Sequence, residues 1–403
     1  MNKVYIVAAK RTAIGSFLGS LAKVHPAEMG AALVKDIIKS TEIDPSKLDE
    51  VIVGNVLPAG QKQGIARQIS IKGGVPVEVP AYGVNMVCGS GMKAIMNGYS
   101  NIVTGLHNLV LAGGAESMST SPFILPASIR TGNKLGDMSA VDDIIYDALT
   151  DAFEGYHMGI TAENIATKYD LSREEQDEFA LESQKRAIAA IDNGKFKDEI
   201  VPLEVHVRRD TKIFDTDEYP NRTSNMEKLA KLRTVFKKDG SVTPGNASGI
   251  NDGASMVLLA SEEALKKYNL TPMAEIIAVG QGGVEPSLMG LGPIPAIRNV
   301  LKTANLPLSE MSLIELNEAF ASQSLGVINE LVKEHNLTKE DLLMKTNVNG
   351  GAIALGHPVG ASGNRIVVTL LYEMEKRAVD YGLASLCIGG GMGTAIILKR
   401  CDK

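Results

Sequence analysis

Residues 86–105 read MVCGSGMKAIMNGYSNIVTG, a stretch that places a cysteine directly before an amphipathic helix. Apolar side chains recur every three or four residues after the cysteine, and this pattern ends at Gly105. Cys88 therefore lies beside unpaired backbone N–H groups at the positive end of the helix dipole. Both features favour the thiolate, which is the nucleophilic form of cysteine. Cys88 is a candidate nucleophile, although a lone cysteine of this kind is more often a small core residue.

The same pattern returns later in the chain, where HPVGASGNRI at 357–366 resembles MVCGSGMKAI at 86–95. Three further pairs of segments match in the same order and at similar spacing. They are VYIVAAKRTAIG at 4–15 with EIIAVGQGGVEP at 275–286, LDEVIVGNVLPAGQ at 48–61 with MSLIELNEAFASQ at 311–323, and NLVLAGGAES at 108–117 with ASLCIGGGMG at 384–393. Alternating strands and helices imply mostly parallel sheets that are covered by helices. We expect two similar halves to pack about a pseudo-twofold axis, which would bring Cys88 close to His357.

Composition and charge argue against several classes of protein. The chain has 403 residues, enough for two or more domains, and its net charge of −6 argues against nucleic-acid binding. No apolar run is long enough to cross a membrane. The six histidines are scattered without the spacing of metal ligands. Cys88, Cys387 and Cys401 are too few for a disulfide framework, which favours the reducing cytoplasm.

Residues from about 120 to 245 have no counterpart in the second half, so we interpret them as an insertion that acts as a lid or binding loop. Thr161 and Ser172 are candidate helix caps within it, and Gly194 is a candidate helix end. Six lysines and arginines against one acid fall within 222–238. Such a local excess in an acidic protein attracts a phosphorylated ligand, but a solvated helix face gives the same pattern.

Four segments together carry a specific resemblance. They are VCGSGM at 87–92, NEAF at 317–320, GGAIALGHPVGASG at 350–363 and CIGGGMG at 387–393. In this order and over the whole chain, they resemble the thiolase family. Three more segments resemble its biosynthetic branch: GYHMG at 155–159, GNASGINDGA at 245–254 and VEPSLMGLGPIPA at 284–296. The resemblance implies the reversible condensation of two acetyl-CoA to acetoacetyl-CoA and CoA.

The resemblance also implies an α/β architecture, the thiolase fold. Two similar βαβ-type halves pack about a pseudo-twofold axis, with helices between and outside the sheets, and an inserted loop domain is added. We expect residues 1–119 and 246–271 to form the N-terminal half. Residues 120–245 are expected to form the inserted domain for CoA binding and oligomerisation, and residues 272–403 the C-terminal half.

Three side chains are given catalytic roles by this resemblance. Cys88 is the nucleophile and becomes acetylated. His357 either takes the proton of Cys88 or holds its thiolate as an ion pair. Cys387 is the acid/base that deprotonates the second acetyl-CoA, and a free thiol titrates near pH ~8.5, within reach of that task after modest tuning.

Two oxyanion holes are required by the same chemistry. The resemblance implies that the backbone N–H groups of Cys88 and Gly389 form the first one, for the oxygen of the acyl-enzyme step. Nε2 of His357 and a water held by Asn317 form the second, for the enolate oxygen of acetyl-CoA.

Coenzyme A is expected to lie against the insertion and the NEAF segment. By resemblance, the residues that contact it are Ser248, His157, Leu149, Phe236, Ala247, Ala319 and Phe320. Met158 and Met289 occupy positions where the biosynthetic branch narrows its acyl pocket. The family often has an arginine two residues after the tyrosine of a DEY segment, whereas here Asn221 occupies that place and Arg222 follows it. We expect Arg222 to take over the contact to the nucleotide by this shift of one residue.

The expected partners are acetyl-CoA and acetoacetyl-CoA, with no cofactor or metal, because coenzyme A is itself a substrate and product. A homotetramer built as a dimer of dimers is implied, with part of 120–145 as a contact. Three alternatives stay open at this point. The first is a degradative 3-ketoacyl-CoA thiolase that accepts a broader range of acyl chain lengths. The second is a non-catalytic carrier of CoA esters or lipids. The third is a redox sensor in which Cys88 and Cys387 form a disulfide.

Overall fold

The computed structural model describes residues 2–207 and 210–402. Its strands are β1 (Val4–Arg11), β2 (Gly15–Ser16), β3 (Glu50–Gly54), β4 (Ala81–Val84), β5 (Leu109–Ser117), β6 (Phe123–Ile124), β7 (Val141–Asp142), β8 (Leu203–Val207), β9 (Asp210–Phe214), β10 (Asn251–Ser261), β11 (Ala274–Gly283), β12 (Leu313–Leu316), β13 (Tyr381–Ile388) and β14 (Met392–Arg400). Its α-helices are α1 (Pro26–Thr41), α2 (Ile65–Lys72), α3 (Ser90–Val103), α4 (Met158–Lys168), α5 (Arg173–Asp192), α6 (Met226–Ala230), α7 (Glu262–Tyr268), α8 (Pro293–Ala304), α9 (Ala321–His335), α10 (Lys339–Lys345), α11 (Ala352–Leu355) and α12 (Val359–Arg377).

One ten-stranded sheet runs through both halves in the order β12-β13-β14-β11-β1-β10-β5-β3-β4, with β2 paired to β10. The halves join where β1 and β11 pair antiparallel, Tyr5 with Glu275 and Ile6 with Ala274. Outward from this junction, each half has an antiparallel strand (β10 or β14) followed by a parallel pair (β5 with β3, or β13 with β12). The two similar halves predicted from the internal repeat are therefore confirmed. The prediction of mostly parallel sheets was wrong, because the long strands β1, β10, β11 and β14 pair antiparallel with their neighbours in one mixed sheet.

Helices α3 and α12 lie between the two halves of the sheet and pack against each other. Their apolar side chains share one core with both halves of the sheet, while α1 and α2 cover the N-terminal half outside and α8 and α9 the C-terminal half. Every residue of α12 from 359 to 371 is buried. The reason is that sheet and helix cover α12 from several sides, which brings its small and polar residues into the core.

The insertion contains α4, α5, α6 and the hairpins β6–β7 and β8–β9. Ser172 caps α5 and forms a capping box with Glu175, as predicted. Thr161 is not a cap, because α4 begins three residues earlier and His157 occupies the N-cap position. No helix in residues 2–207 and 210–402 is long and apolar enough to cross a membrane.

A buried ion cluster ties the first strand to the insertion. Arg11 is fully buried and donates through Nε to Glu199 at 2.5 Å, and through Nη1 and Nη2 to the two carboxylate oxygens of Asp217 at 2.7 and 2.9 Å. One oxygen of Asp217 also accepts the backbone N–H of Ile14. These ion pairs hold the segments of the insertion that contain Glu199 and Asp217 against β1.

Replacing Arg11 with methionine is expected to lower the free energy of unfolding by about 3–5 kcal/mol, because two buried carboxylates lose their counter-charge. Urea denaturation measures the change. Arg222→Met is the matched control, because the Arg222–Asp192 pair is exposed and should leave the unfolding midpoint unchanged. Equal midpoints for both variants would contradict this assignment.

Candidate active site

A tight turn presents Cys88 at the start of α3. Val87 adopts a left-handed conformation with φ 46°, which is unusual for a β-branched residue and is kept by surrounding contacts. The hydroxyl of Ser90 closes the turn, since Oγ accepts the N–H of Met86 at 2.8 Å and donates to the carbonyl of Val87 at 2.6 Å. The helix then begins at Ser90, as the sequence pattern predicts.

The thiol of Cys88 rests in its neutral form. Its own N–H and that of Gly389 donate to the sulfur and favour the thiolate, but burial has the larger effect and raises the pKa of Cys88 to about 11. The expectation that the helix start favours a thiolate in the free protein was therefore wrong. The two N–H groups are nevertheless in place for the oxygen that forms beside this sulfur during acyl transfer.

His357 is held from two sides, and its ring is a neutral base. Its backbone N–H donates to Asn251 at 2.9 Å, and Nδ1 lies 2.6 Å from Oγ of Ser362. The hydroxyl of Ser362 also lies 2.9 Å from the carbonyl of Pro358 and can donate to it, an arrangement that favours the ring proton on Nδ1. Nε2 has no hydrogen-bond partner within the described chain, which leaves its lone pair available.

Burial, and then the charge of Arg365, lower the pKa of His357 to about 4. A neutral thiol thus accompanies a neutral imidazole. Of the two roles that the sequence left open, proton removal by His357 is favoured over a resting ion pair.

The neutral thiol can be tested by varying pH. Because the pKa of Cys88 is raised, its thiolate fraction and its rate of alkylation by iodoacetamide are expected to rise about tenfold per pH unit from about pH 7 to about pH 10. Peptide mass spectrometry follows Cys88 separately from the other two cysteines. A rate that is already constant near neutral pH would indicate a thiolate–imidazolium pair and contradict this assignment.

Cys387 occupies the end of β13 and is buried. Burial, and then the neighbouring Cys88, raise the pKa of this thiol, so the expectation of a value needing only modest tuning was wrong. Cys387 rests as an acid that can release its proton only to a strongly basic group. Both thiols are free, and their disulfide stays a prediction.

Asn317 follows β12 and is almost fully buried, and its backbone N–H donates to the carbonyl of Ser385 at 3.0 Å. Neither polar atom of its side chain has a hydrogen-bond partner in the part of the chain that the structure describes. Buried amides usually bind protein or water. This one has the capacity to hold a water, as the resemblance implies, but Asn317 itself is not among the residues that line the cavity.

One cavity of about 270 Å³ brings most of the candidate residues together. The predicted residues that line it are Cys88, Leu149, His157, Met158, Phe236, Ala247, Ser248, Met289, Ala319, Phe320, His357, Cys387 and Gly389. They come from both halves and from the insertion. A volume of this size suits the narrow end of a thioester rather than a whole nucleotide.

The insertion and the NEAF segment build the outer wall of this cavity. Phe236 stacks on His157 with ring centres 4.6 Å apart, and its edge faces Phe320 at 6.4 Å. Ala247 pairs with Phe320 in an antiparallel bridge, and the N–H of Ser248 donates to the carbonyl of Ala319 at 2.9 Å. These contacts give the wall a mostly apolar surface, to which Ser248 adds a hydroxyl.

Arg222 does not lie at the cavity. Both of its terminal nitrogens donate to the carboxylate of Asp192, at 3.0 and 2.6 Å, and the pair is exposed. Its expected contact to the nucleotide therefore lacks support, because α5 supplies a competing carboxylate. Arg233, Lys237 and Lys238 instead line a groove that shares Phe236 with the cavity, and none has an ion pair within the described residues.

Sequence reasoning missed several residues that hold the site. Tyr219 lines the cavity, and Asn251 and Ser362 orient His357. The internal repeat carried one usable signal, because Ser362 matches Ser90 and each serine closes the turn of a candidate catalytic residue. No group of three or more histidines, cysteines or acids suited to a metal ion occurs within 2–207 and 210–402.

Comparison with known proteins follows the same division into halves. The family model for the thiolase N-terminal domain matches residues 4–263, and that for the thiolase C-terminal domain matches residues 270–400. A protein of Pseudomonas aeruginosa named acetyl-CoA acetyltransferase is 51% identical over 401 residues, which cover 99% of this chain and 100% of that protein. The crystal structure of the Bacillus anthracis acetyl-CoA acetyltransferase has a TM-score of 0.94 at 41% identity, covering 100% of this chain and 99% of the other. The crystal structure of human mitochondrial 3-ketoacyl-CoA thiolase also has a TM-score of 0.94, at 43% sequence identity, and the match covers 99% of both chains.

Proposed function

The chain belongs to the thiolase family, and on that premise we propose that it is an acetyl-CoA C-acetyltransferase, which condenses two acetyl-CoA reversibly to acetoacetyl-CoA and CoA. This chemistry needs a nucleophile to hold one acetyl group, a base for a proton alpha to a thioester, and donors for two oxyanions. The observation that carries the proposal is that Cys88, His357, Cys387 and Gly389 line one cavity.

The first step forms the acetyl-enzyme. Sγ of Cys88 attacks the carbonyl carbon of acetyl-CoA while its proton passes to Nε2 of His357. The carbonyl oxygen becomes an oxyanion between the N–H groups of Cys88 and Gly389. The bond from this carbon to the sulfur of CoA then breaks, and the departing CoA thiolate takes the proton of Cys387. This leaves acetyl-Cys88, a protonated His357 and the thiolate of Cys387.

The second step joins the two carbons. The thiolate of Cys387 removes a proton from the methyl group of a second acetyl-CoA, and the enolate oxygen accepts the new Nε2–H of His357 and a water held by Asn317. The enolate carbon attacks the carbonyl carbon of acetyl-Cys88, and the resulting oxyanion accepts the N–H groups of Cys88 and Gly389. The bond from this carbon to Sγ of Cys88 then breaks, and acetoacetyl-CoA leaves. Sγ of Cys88 recovers its proton from His357. A raised pKa suits Cys387 here, because its thiolate is then a stronger base.

A degradative 3-ketoacyl-CoA thiolase is the second candidate, because the structural neighbours include both kinds of enzyme. The side chains of Met158 and Met289 favour the short-chain reaction. Both are buried, line the cavity and pack in one hydrophobic cluster with Cys387. A carrier without turnover is disfavoured because no member of the catalytic set is missing.

Met158→Ala is expected to lengthen the acyl chain that the enzyme accepts. Each methylene buried in the new space contributes about 0.8 kcal/mol, or about fourfold in kcat/KM for 3-ketoacyl-CoA substrates longer than acetoacetyl-CoA. A series of chain lengths measures this change. Met344→Ala is the control, because Met344 is exposed and lies outside the cavity. The same chain-length profile for parent and Met158→Ala would show that this methionine does not limit the pocket.

A thiolysis assay with CoA tests the proposed function. The parent should cleave acetoacetyl-CoA to two acetyl-CoA, with rates that fall as the 3-ketoacyl chain is lengthened. Faster cleavage of long chains would select the degradative candidate. No cleavage of any chain would contradict both and leave the carrier.

The assembly and the compartment belong to the same proposal. A homotetramer is supported by exposed apolar side chains in the insertion, where Phe123, Leu135 and Tyr146 are 68%, 94% and 60% exposed. A monomeric mass by light scattering would contradict it. Three free cysteines favour the cytoplasm. We also propose that residues 1–119 and 246–271 form the N-terminal half. Residues 120–245 form the inserted domain for CoA binding and oligomerisation, and residues 272–403 form the C-terminal half.

A further inference from the structure

Glu116 is a buried carboxylate at the end of β5 that touches both halves of the molecule. Its Oε1 accepts Nδ2 of Asn55 at 2.9 Å and the N–H of Leu57 at 3.2 Å. Its Oε2 accepts the N–H of Val56 at 2.8 Å and the N–H of Gly360 at 2.9 Å. The first three donors belong to the N-terminal half and the last to the C-terminal half.

One branch of this network leads to the nucleophile. The carbonyl of Val56 accepts Nδ2 of Asn85 at 3.2 Å, and Oδ1 of Asn85 accepts the N–H of Val87 at 3.0 Å. Val87 is the left-handed residue directly before Cys88. Glu116 is thus linked to the turn that aims the thiol through the backbone of Val56 and the side chain of Asn85.

The other branch leads to the base. Gly360 lies in the first turn of α12, three residues after His357, and Ser362 of the same turn bonds the imidazole. A Cβ at Gly360 would lie 2.4 Å from Oε2 of Glu116, so only glycine allows the carboxylate this close. The first turn of α12 is therefore held directly against Glu116.

We propose that Glu116 is a positioning residue that sets the separation between the thiol of Cys88 and the imidazole of His357 across the two halves. This role rests on the proposed function. Glu116 does not line the cavity, so it acts through the two branches rather than on the substrate. Because both oxygens accept N–H groups, glutamine cannot replace it. Either orientation of the amide places an NH₂ group against N–H donors.

The test is single-turnover acetylation of Cys88 by saturating acetyl-CoA, with rate and amplitude recorded separately. Glu116→Gln should retain full amplitude and lose about 100-fold in rate, since a small misplacement of reacting groups has an effect of this size. The KM for CoA should stay within about twofold, because the CoA wall lies on other elements. Reduced amplitude at the parental rate, or parental values of both, would overturn the proposal.

Asn85→Ala removes the two hydrogen bonds that link Val56 to Val87 and leaves the branch to His357 intact. This variant tests the proposal if Glu116→Gln does not fold. Asn85 is exposed, so the variant should fold. We expect it to acetylate Cys88 about tenfold more slowly than the parent, at full amplitude. Acetylation at the parental rate would overturn the proposal. Glu373→Gln is the matched control, a buried glutamate of α12 that accepts from Asn349 and Arg377 away from the cavity, and its rate should equal the parental one. Failure of the parent itself to take up acetyl would contradict the proposed function instead.

Discussion

Cys88→Ser is expected to lower the rate of thiolysis and of condensation by at least about 10⁴-fold. A serine hydroxyl is a far weaker acid than a thiol, and the neutral imidazole of His357, with its pKa lowered to about 4, is too weak a base to activate it. The cavity keeps its shape, because serine and cysteine differ by one atom. Steady-state assays with acetoacetyl-CoA and CoA measure the loss.

The control for this variant is Cys401→Ser. Cys401 follows β14 and does not line the cavity, so its replacement should give parental rates. Activity of Cys88→Ser within about tenfold of the parent would remove Cys88 as the nucleophile.

Cys387→Ala is expected to separate the two steps of the reaction. Loss of the base for the methyl proton of the second acetyl-CoA should lower condensation about 10³-fold. The first step should be slowed far less, because a CoA thiolate is an adequate leaving group even without a proton from Cys387. The variant should therefore accumulate as acetyl-Cys88 when it is mixed with acetyl-CoA.

Acetylation by intact mass and condensation by product analysis must be measured on the same sample of Cys387→Ala. Full acetylation without condensation supports the two roles. A variant that cleaves acetoacetyl-CoA at the parental rate would show that another group supplies the proton.

The architecture was predictable because the two halves of the chain repeat the same order of segments. Four repeated segments predicted strands and helices at equivalent places, and the pseudo-twofold relation predicted that Cys88 and His357 meet. Both residues line the same cavity. A repeat is informative here because equivalent elements must bury equivalent faces, which leaves few ways to join the halves.

The protonation states were not predictable. The sequence places Cys88 at a helix start, where the dipole favours a thiolate, but it does not reveal how completely the surrounding segments exclude water. Desolvation outweighs the helix and the two N–H donors, and for Cys387 it acts in the same direction. Such effects depend on the packing of distant segments.

Contacts between distant polar side chains were also missed. Arg222 pairs with Asp192, which is thirty residues away, and no local pattern connects them. Glu116 lies in a segment noted for the internal repeat, and Asn251 lies in one noted for family resemblance. Hydrogen bonds across the halves nevertheless have no periodicity in sequence.

Every later step of the proposed reaction depends on Cys88 carrying the acetyl group. Incubation of the parent with acetyl-CoA, followed by intact mass and peptide mapping, tests it directly. We expect one added acetyl group per chain, located on Cys88, and its removal when CoA is added. An unchanged mass, or an acetyl group on any other residue, would show that Cys88 is not the nucleophile.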